Sequence, residues 1–129
     1  MHVRMARFEN VDMSSIDEDA EEFRRMLRSD ERPAWMPEDA FVTLREGVVR
    51  VISLVDRSGG ATTDLIFTRN EEDARKVDEA LNGLNPPEGG GRRASVQTFQ
   101  VLLDEQLAES RIIRRTTDSG GFMPGQRPC

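Results

Sequence analysis

Residues 48–84 restrict the fold more tightly than any other stretch of the chain. Residues 48–55 are rich in β-branched residues, the composition of a strand. Asp56-Arg57-Ser58-Gly59-Gly60 follows as a hairpin turn, with glycine to supply positive φ. Residues 61–68 make the returning strand, whose alternation is broken by Asp64. Asn70 then starts a helix, with Glu71, Glu72 and Asp73 near the positive end of its dipole. Ala74, Val77, Leu81 and Leu84 form the buried stripe of that helix, and Asn82-Gly83 ends it.

The flanks extend this strand–turn–strand–helix unit. In HVRMARF, residues 2–8, alternation puts Val3 and Met5 on one face and His2, Arg4, Ala6 and Phe8 on the other. A first helix begins near Ser15, with Glu18 placed to complete a capping box. Ile16, Ala20, Phe23 and Leu27 then recur at helical spacing, so this helix lies on a sheet by one face. Arg32-Pro33-Ala34-Trp35-Met36-Pro37 breaks it. Pro37, Glu38, Asp39 and a stop at Gly47 predict a short second helical piece, with Phe41, Val42 and Leu44 closing over one end of the sheet. Residues 85–91 read as a Pro/Gly loop and 95–103 as the last strand.

The resulting order, β-α-β-β-α-β, is that of an α+β ferredoxin-like half-barrel with an antiparallel sheet. It spans residues 1–104, and residues 105–129 are a C-terminal arm. Residues 105–115 carry Leu107, Ile112 and Ile113 in a short helix or extended segment, and 116–129 are expected to be disordered or partner-bound. One domain of 129 residues buries about two-thirds of its unfolded surface.

Composition excludes several roles. A net charge of −6 argues against nucleic acid as a partner, because phosphate binding needs a continuous basic face. The pairs Arg92-Arg93 and Arg114-Arg115 read as solvated charges. The single cysteine, Cys129, cannot form an internal disulfide. No apolar run approaches a membrane span, and His2, Arg4 and Arg7 interrupt what would be a signal peptide, so a cytoplasmic protein without membrane partners is expected. One histidine and one cysteine at opposite ends of the chain leave no transition-metal site.

MHVRMARFEN, SLVDRSGGATTDLIF, RNEEDARKVDEAL and QVLLDE, in this order, resemble the dimeric α/β-barrel superfamily, in the branch grouped with antibiotic-biosynthesis monooxygenases. The resemblance implies a homodimer paired through its sheets, often with exchanged C-terminal segments, and a small pocket in each subunit. It also implies oxidation without bound metal, flavin or other cofactor. The sequence departs from that pattern in having no Tyr, in placing Asn10 beyond the first strand, and in holding Trp35 within a proline-bounded loop. Residues 70–84 lack the iron-ligating His of haem-degrading relatives, so haem chemistry is not expected.

Independently, a sheet covered by helices on one face leaves the other bare, and Val48, Ile52, Leu54, Ile66 and Leu102 are assigned to it. A second copy would cover that face by an isologous contact. Arg4, Arg50, Thr62, Asp64, Thr98 and Gln100 are read as sharing the non-helix face with Ala6, Phe8, Ile52 and Ile66. Two readings stand side by side. Arg4, Arg50 and Asp64 hold an anionic ligand, with Thr98 and Gln100 as further polar groups and Phe8 and Trp35 lining the site; or the charges form an ion-pair network across the dimer sheet. A small-molecule-binding protein and a catalytically silent interaction module are the matching functional alternatives.

Overall fold

The computed structural model describes residues 1–86 and 88–107. Its elements are β1 (His2–Glu9), α1 (Ile16–Arg28), α2 (Glu38–Gly47), β2 (Val48–Asp56), β3 (Ala61–Thr68), α3 (Glu71–Asn82) and β4 (Arg92–Gln100). The strands form one antiparallel sheet in the order β2-β3-β1-β4. The chain is therefore α+β, with three helices and a four-stranded antiparallel sheet compatible with a ferredoxin-like fold. The last strand opens at Arg92 rather than at residue 95. Of the expected arm, residues 108–129 lie outside the described residues, and so do Arg114 and Arg115.

Local chemistry accounts for the hairpin and for α3. Asp56 Oδ1 accepts from the Gly59 N–H (3.0 Å) and the Ser58 hydroxyl (3.1 Å), while Gly60 takes a φ of 66°. Asn70 Oδ1 accepts from the Asp73 N–H at 2.8 Å, the cap expected of it. The start of α1 differs. Ser15 stands at the N-cap but makes no capping bond. Its hydroxyl lies 3.3 Å from the Asp12 carbonyl and 3.2 Å from Asp19 Oδ2, so no capping box with Glu18 forms.

The core lies between the sheet and the helices and is built from Met26, Met36, Phe41, Leu44, Ile66 and Val77. Val42, expected to join Phe41 and Leu44, points outward and is exposed. Gly47 joins α2 to β2 where α3 comes closest. A Cβ there would sit 2.8 Å from Val77 Cγ2, so only glycine lets the two helices approach this closely.

The faces of the sheet correct the assignment made from alternation. Cross-strand partners share a face, and Arg4 pairs with Ile66, Ala6 with Asp64, and Phe8 with Thr62. Arg4 bonds to α3, so this whole set, with Thr98 and Gln100 on β4, faces the helices. On β2 the partner of Ile66 is Val51, and that of Asp64 is Ser53, so Arg50 and Ile52 point to the bare side. The turn of residues 57–60 sets this parity, and a one-residue change in register moves every side chain to the opposite face. Val48, opposite Thr68 across a bulge at Val49, also faces the helices. The face without helices therefore carries Val3, Met5, Ile52, Leu54, Leu65, Phe67 and Phe99, and not Val48 or Ile66; of these Leu54 and Phe99 are exposed and Phe67 is buried. Leu102 lies beyond β4, 97% exposed.

Candidate functional site

Helix α1 stands off the sheet. Of its residues only Met26 is buried, and Ala20 of its apolar stripe is exposed. Two contacts fix its direction. At its start Asp17 accepts from Arg57 in the β2–β3 turn, 2.8 Å to Nη2. Just past its end, Asp30 Oδ1 accepts from Arg45 Nη2 at 2.6 Å, and the Ser29 carbonyl accepts from Arg45 Nη1. α1 therefore runs antiparallel to β2 and is tied to its neighbours at both ends. Both ties are solvent-exposed ion pairs, and such pairs contribute little to stability. What holds α1 to the rest of the molecule is chiefly Met26 in the core, with Phe23 and Leu27 packed against it.

Between the ties lies a cleft of about 590 Å³. Its floor is Phe23, Leu27, Phe41, Leu44, Val48 and Val51, and Ser53 lines it on β2. Arg24, Arg28, Arg45 and Arg50 are also among its lining residues. Arg24 is only loosely engaged by Glu21 (3.7 Å), and Arg28 has no ion-pair partner among the described residues. Arg50 is different: its guanidinium lies over Phe67 on the bare face and contacts Asp104 Oδ2 at 3.4 Å. A hollow that combines apolar side chains with several cationic groups suits a small anionic ligand.

Beside the cleft, Asp64 Oδ1 accepts from the Ser53 hydroxyl at 3.0 Å. Burial pushes the Asp64 carboxyl above the usual carboxylate range, against the opposing effects of the Ser53 bond and the Arg4 charge. The sign for stability follows from that direction. The folded protein holds the Asp64 proton to higher pH than the unfolded chain does, so this group lowers stability as pH rises through that window. Asp64→Asn keeps the acceptor for Ser53 and removes the charge. It is expected to raise the melting temperature at neutral pH, with the gain shrinking as pH falls and vanishing below about pH 3, where the carboxyl is protonated in both states. Thermal melts of the two proteins at both pH values check this.

The residues singled out from the sequence are not gathered in one place. Arg4 is buried and committed to α3, with Nε 2.9 Å from Asp78 Oδ1 and Nη2 2.7 Å from Asn82 Oδ1. It is separated from Arg50 by the sheet itself. Phe8 lies under the Arg93 guanidinium, 5.9 Å from its ring centre. Arg93 donates to the Leu81 and Leu84 carbonyls at the end of α3, so it is a helix cap and not a solvated charge. Arg92 pairs with Glu9 at 2.9 Å. Thr98 and Gln100 are exposed on β4, and Trp35 is 51% exposed in the α1–α2 connection and does not line the cleft. His2 is half-buried opposite Thr68, and its Nδ1 and the Thr68 hydroxyl are buried with no hydrogen-bond partner among the described residues. The arginines of α1 and α2 carried no motif; their only signal was a basic end to each amphipathic helix.

Among the described residues no group of His, Cys, Asp and Glu could hold a metal ion, and no helix is long and apolar enough to cross a membrane. Comparison with family models, curated proteins and solved structures finds no match to this chain.

Proposed function

We propose that this protein is a cytoplasmic homodimer of the dimeric α/β-barrel type that binds a small apolar anion, aliphatic or aromatic, in the α1–α2–β2 cleft. The observation that carries the reading is the apolar floor bordered by Arg24 and Arg28, neither held by a close ion pair. A carboxylate seated there gains a charge-assisted hydrogen bond while its apolar body leaves water. Titration calorimetry with dodecanoate, below its micelle concentration, is the test. Arg28→Ala is expected to weaken binding about tenfold or more, the scale of one hydrogen bond to a charged group; binding unchanged by Arg28→Ala and Arg24→Ala would remove the cleft as the site.

The dimer rests on the bare face. Four strands spaced about 4.8 Å and eight residues long present roughly 500 Å² per copy, about 1,000 Å² in a symmetric pair, near the lower limit for a specific interface. Leu54 at 50% and Phe99 at 44% exposure are the most open apolar groups of that area, and Leu103, beyond β4, would add to it. Charges of both signs at one end of this face, Arg7, Arg92, Glu9 and Asp56, suit pairing with a second copy. Light scattering is expected to give the mass of two chains, and Leu54→Glu with Phe99→Glu to give one. A wild-type monomer at micromolar concentration would contradict this part of the proposal.

Asp64 favours an enzymatic reading as well. A carboxyl with a raised proton affinity beside the cleft is suited to take a proton from an enol or phenol, which then reacts with dioxygen without a metal or flavin. Oxygen uptake with anthrone-like or quinol substrates, lost in Asp64→Asn, is the expected result if the protein is an oxygenase. No uptake across such a panel, with ligand binding intact, assigns it to the silent binding class.

A further inference from the structure

The two ends of the cleft differ in chemistry. At the end where β2 begins, Val48 lies near Arg28 and Arg45, cationic donors that face an anion. At the other end, level with Ala20, stands Ser53. The antiparallel course of α1 and β2, established by the Arg57–Asp17 and Arg45–Asp30 contacts, puts these groups at opposite ends. The separation is about 12 Å along α1 from Ala20 to Arg28, and about 17 Å along β2 from Val48 to Ser53. Between them the lining is Phe23, Leu27 and Val51, with Arg24 and Arg50 also among the lining residues.

The Ser53 end is an acceptor site. The Ser53 hydroxyl spends its proton on Asp64 Oδ1, which leaves the oxygen of this lining residue as an acceptor. Asp64 itself lies behind Ser53 and is not among the lining residues. A group that meets Ser53 must therefore donate. Without such a donor, a ligand reaching this end would desolvate the Ser53 oxygen uncompensated, which is how a polar end selects against an apolar analogue.

We infer that the ligand is bifunctional: an anionic head at Arg28, a largely apolar body about as long as the cleft, and a hydroxyl at the far end that donates to Ser53, whose own proton is held by Asp64. This rests on the cleft being the binding site, and it adds the class of ligand, a hydroxylated aliphatic or arylaliphatic acid.

The experiment compares three probes of one length by calorimetry: dodecanoate, ω-hydroxydodecanoate and its ω-methoxy counterpart, which keeps the oxygen but cannot donate. The hydroxy acid is expected to bind about tenfold tighter than the other two, and Ser53→Ala to shrink that ratio severalfold. Ser53 is exposed, so the variant should fold. Backbone amide shifts at Ser53 and Asp64, induced by the hydroxy acid and not by dodecanoate, give the same answer on the unaltered protein. If dodecanoate binds through Arg28 and the hydroxyl changes nothing, the inference falls and the cleft assignment survives. If no probe binds, or binding ignores Arg28, the cleft assignment itself falls. Tighter binding of the methoxy probe than of the hydroxy acid would overturn the acceptor assignment at Ser53.

Discussion

Gly91→Ala is expected to destabilise the protein by about 3 kcal/mol or more, enough to remove a large part of the stability of a small domain. Gly91 holds a φ of 79°, and a Cβ there would lie 2.2 Å from the Glu9 carbonyl oxygen. The obstacle is backbone, at the point where β1 and β4 pair through Glu9 and Arg92, so no side chain can swing away to relieve it. Relief requires the start of β4 to move off β1, which would break the register that places Arg93 over the end of α3. Chemical denaturation of the variant reads the loss directly. A midpoint shift no larger than that of an ordinary surface substitution would show that the strand start yields freely.

Phe41→Ala is the second large effect, for a different reason. Phe41 is only 8% exposed, belongs to the core and also floors the cleft. Truncating a buried phenylalanine costs about 3–5 kcal/mol, part from lost transfer energy and part from the cavity left behind. At about 4–8 °C per kcal/mol for a domain near this size, the melting temperature should fall by more than about 12 °C. The new space opens into the cleft, so an apolar anion should recover part of that loss by filling it. A melt with and without saturating dodecanoate is expected to show a larger ligand-induced rise in the variant than in wild type. A rise no greater than in wild type would separate the core cavity from the cleft.

These effects bear on how much of the molecule was legible before its structure. The Asp56–Gly60 turn and the Asn70 cap depend on groups within a few residues of each other, and the sequence displays them openly. Ser15 misled because serine followed by glutamate at the right spacing permits a capping box without requiring one. Here the hydroxyl turns to Asp12 and Asp19 instead. Arg4 misled more seriously. Alternation grouped Arg4 with Arg50 and Asp64, but its acceptors, Asp78 and Asn82, are 74 and 78 residues away. Nothing local to β1 announces them.

From its residues alone this chain determined the order of its elements, the reversal between β2 and β3, and the ends of α3, because short-range steric and hydrogen-bonding preferences decide those. Tertiary structure alone decided which side of the sheet the helices cover, and with it the separation of Arg4 and Asp64 from Arg50. It also decided that α1 is tied at both ends and reaches the core chiefly through Met26, which leaves the cleft beside it. The physical reason is parity and distance. Each strand offers two faces that alternation cannot tell apart, and the choice is made by contacts between segments that meet only when the whole sheet has formed.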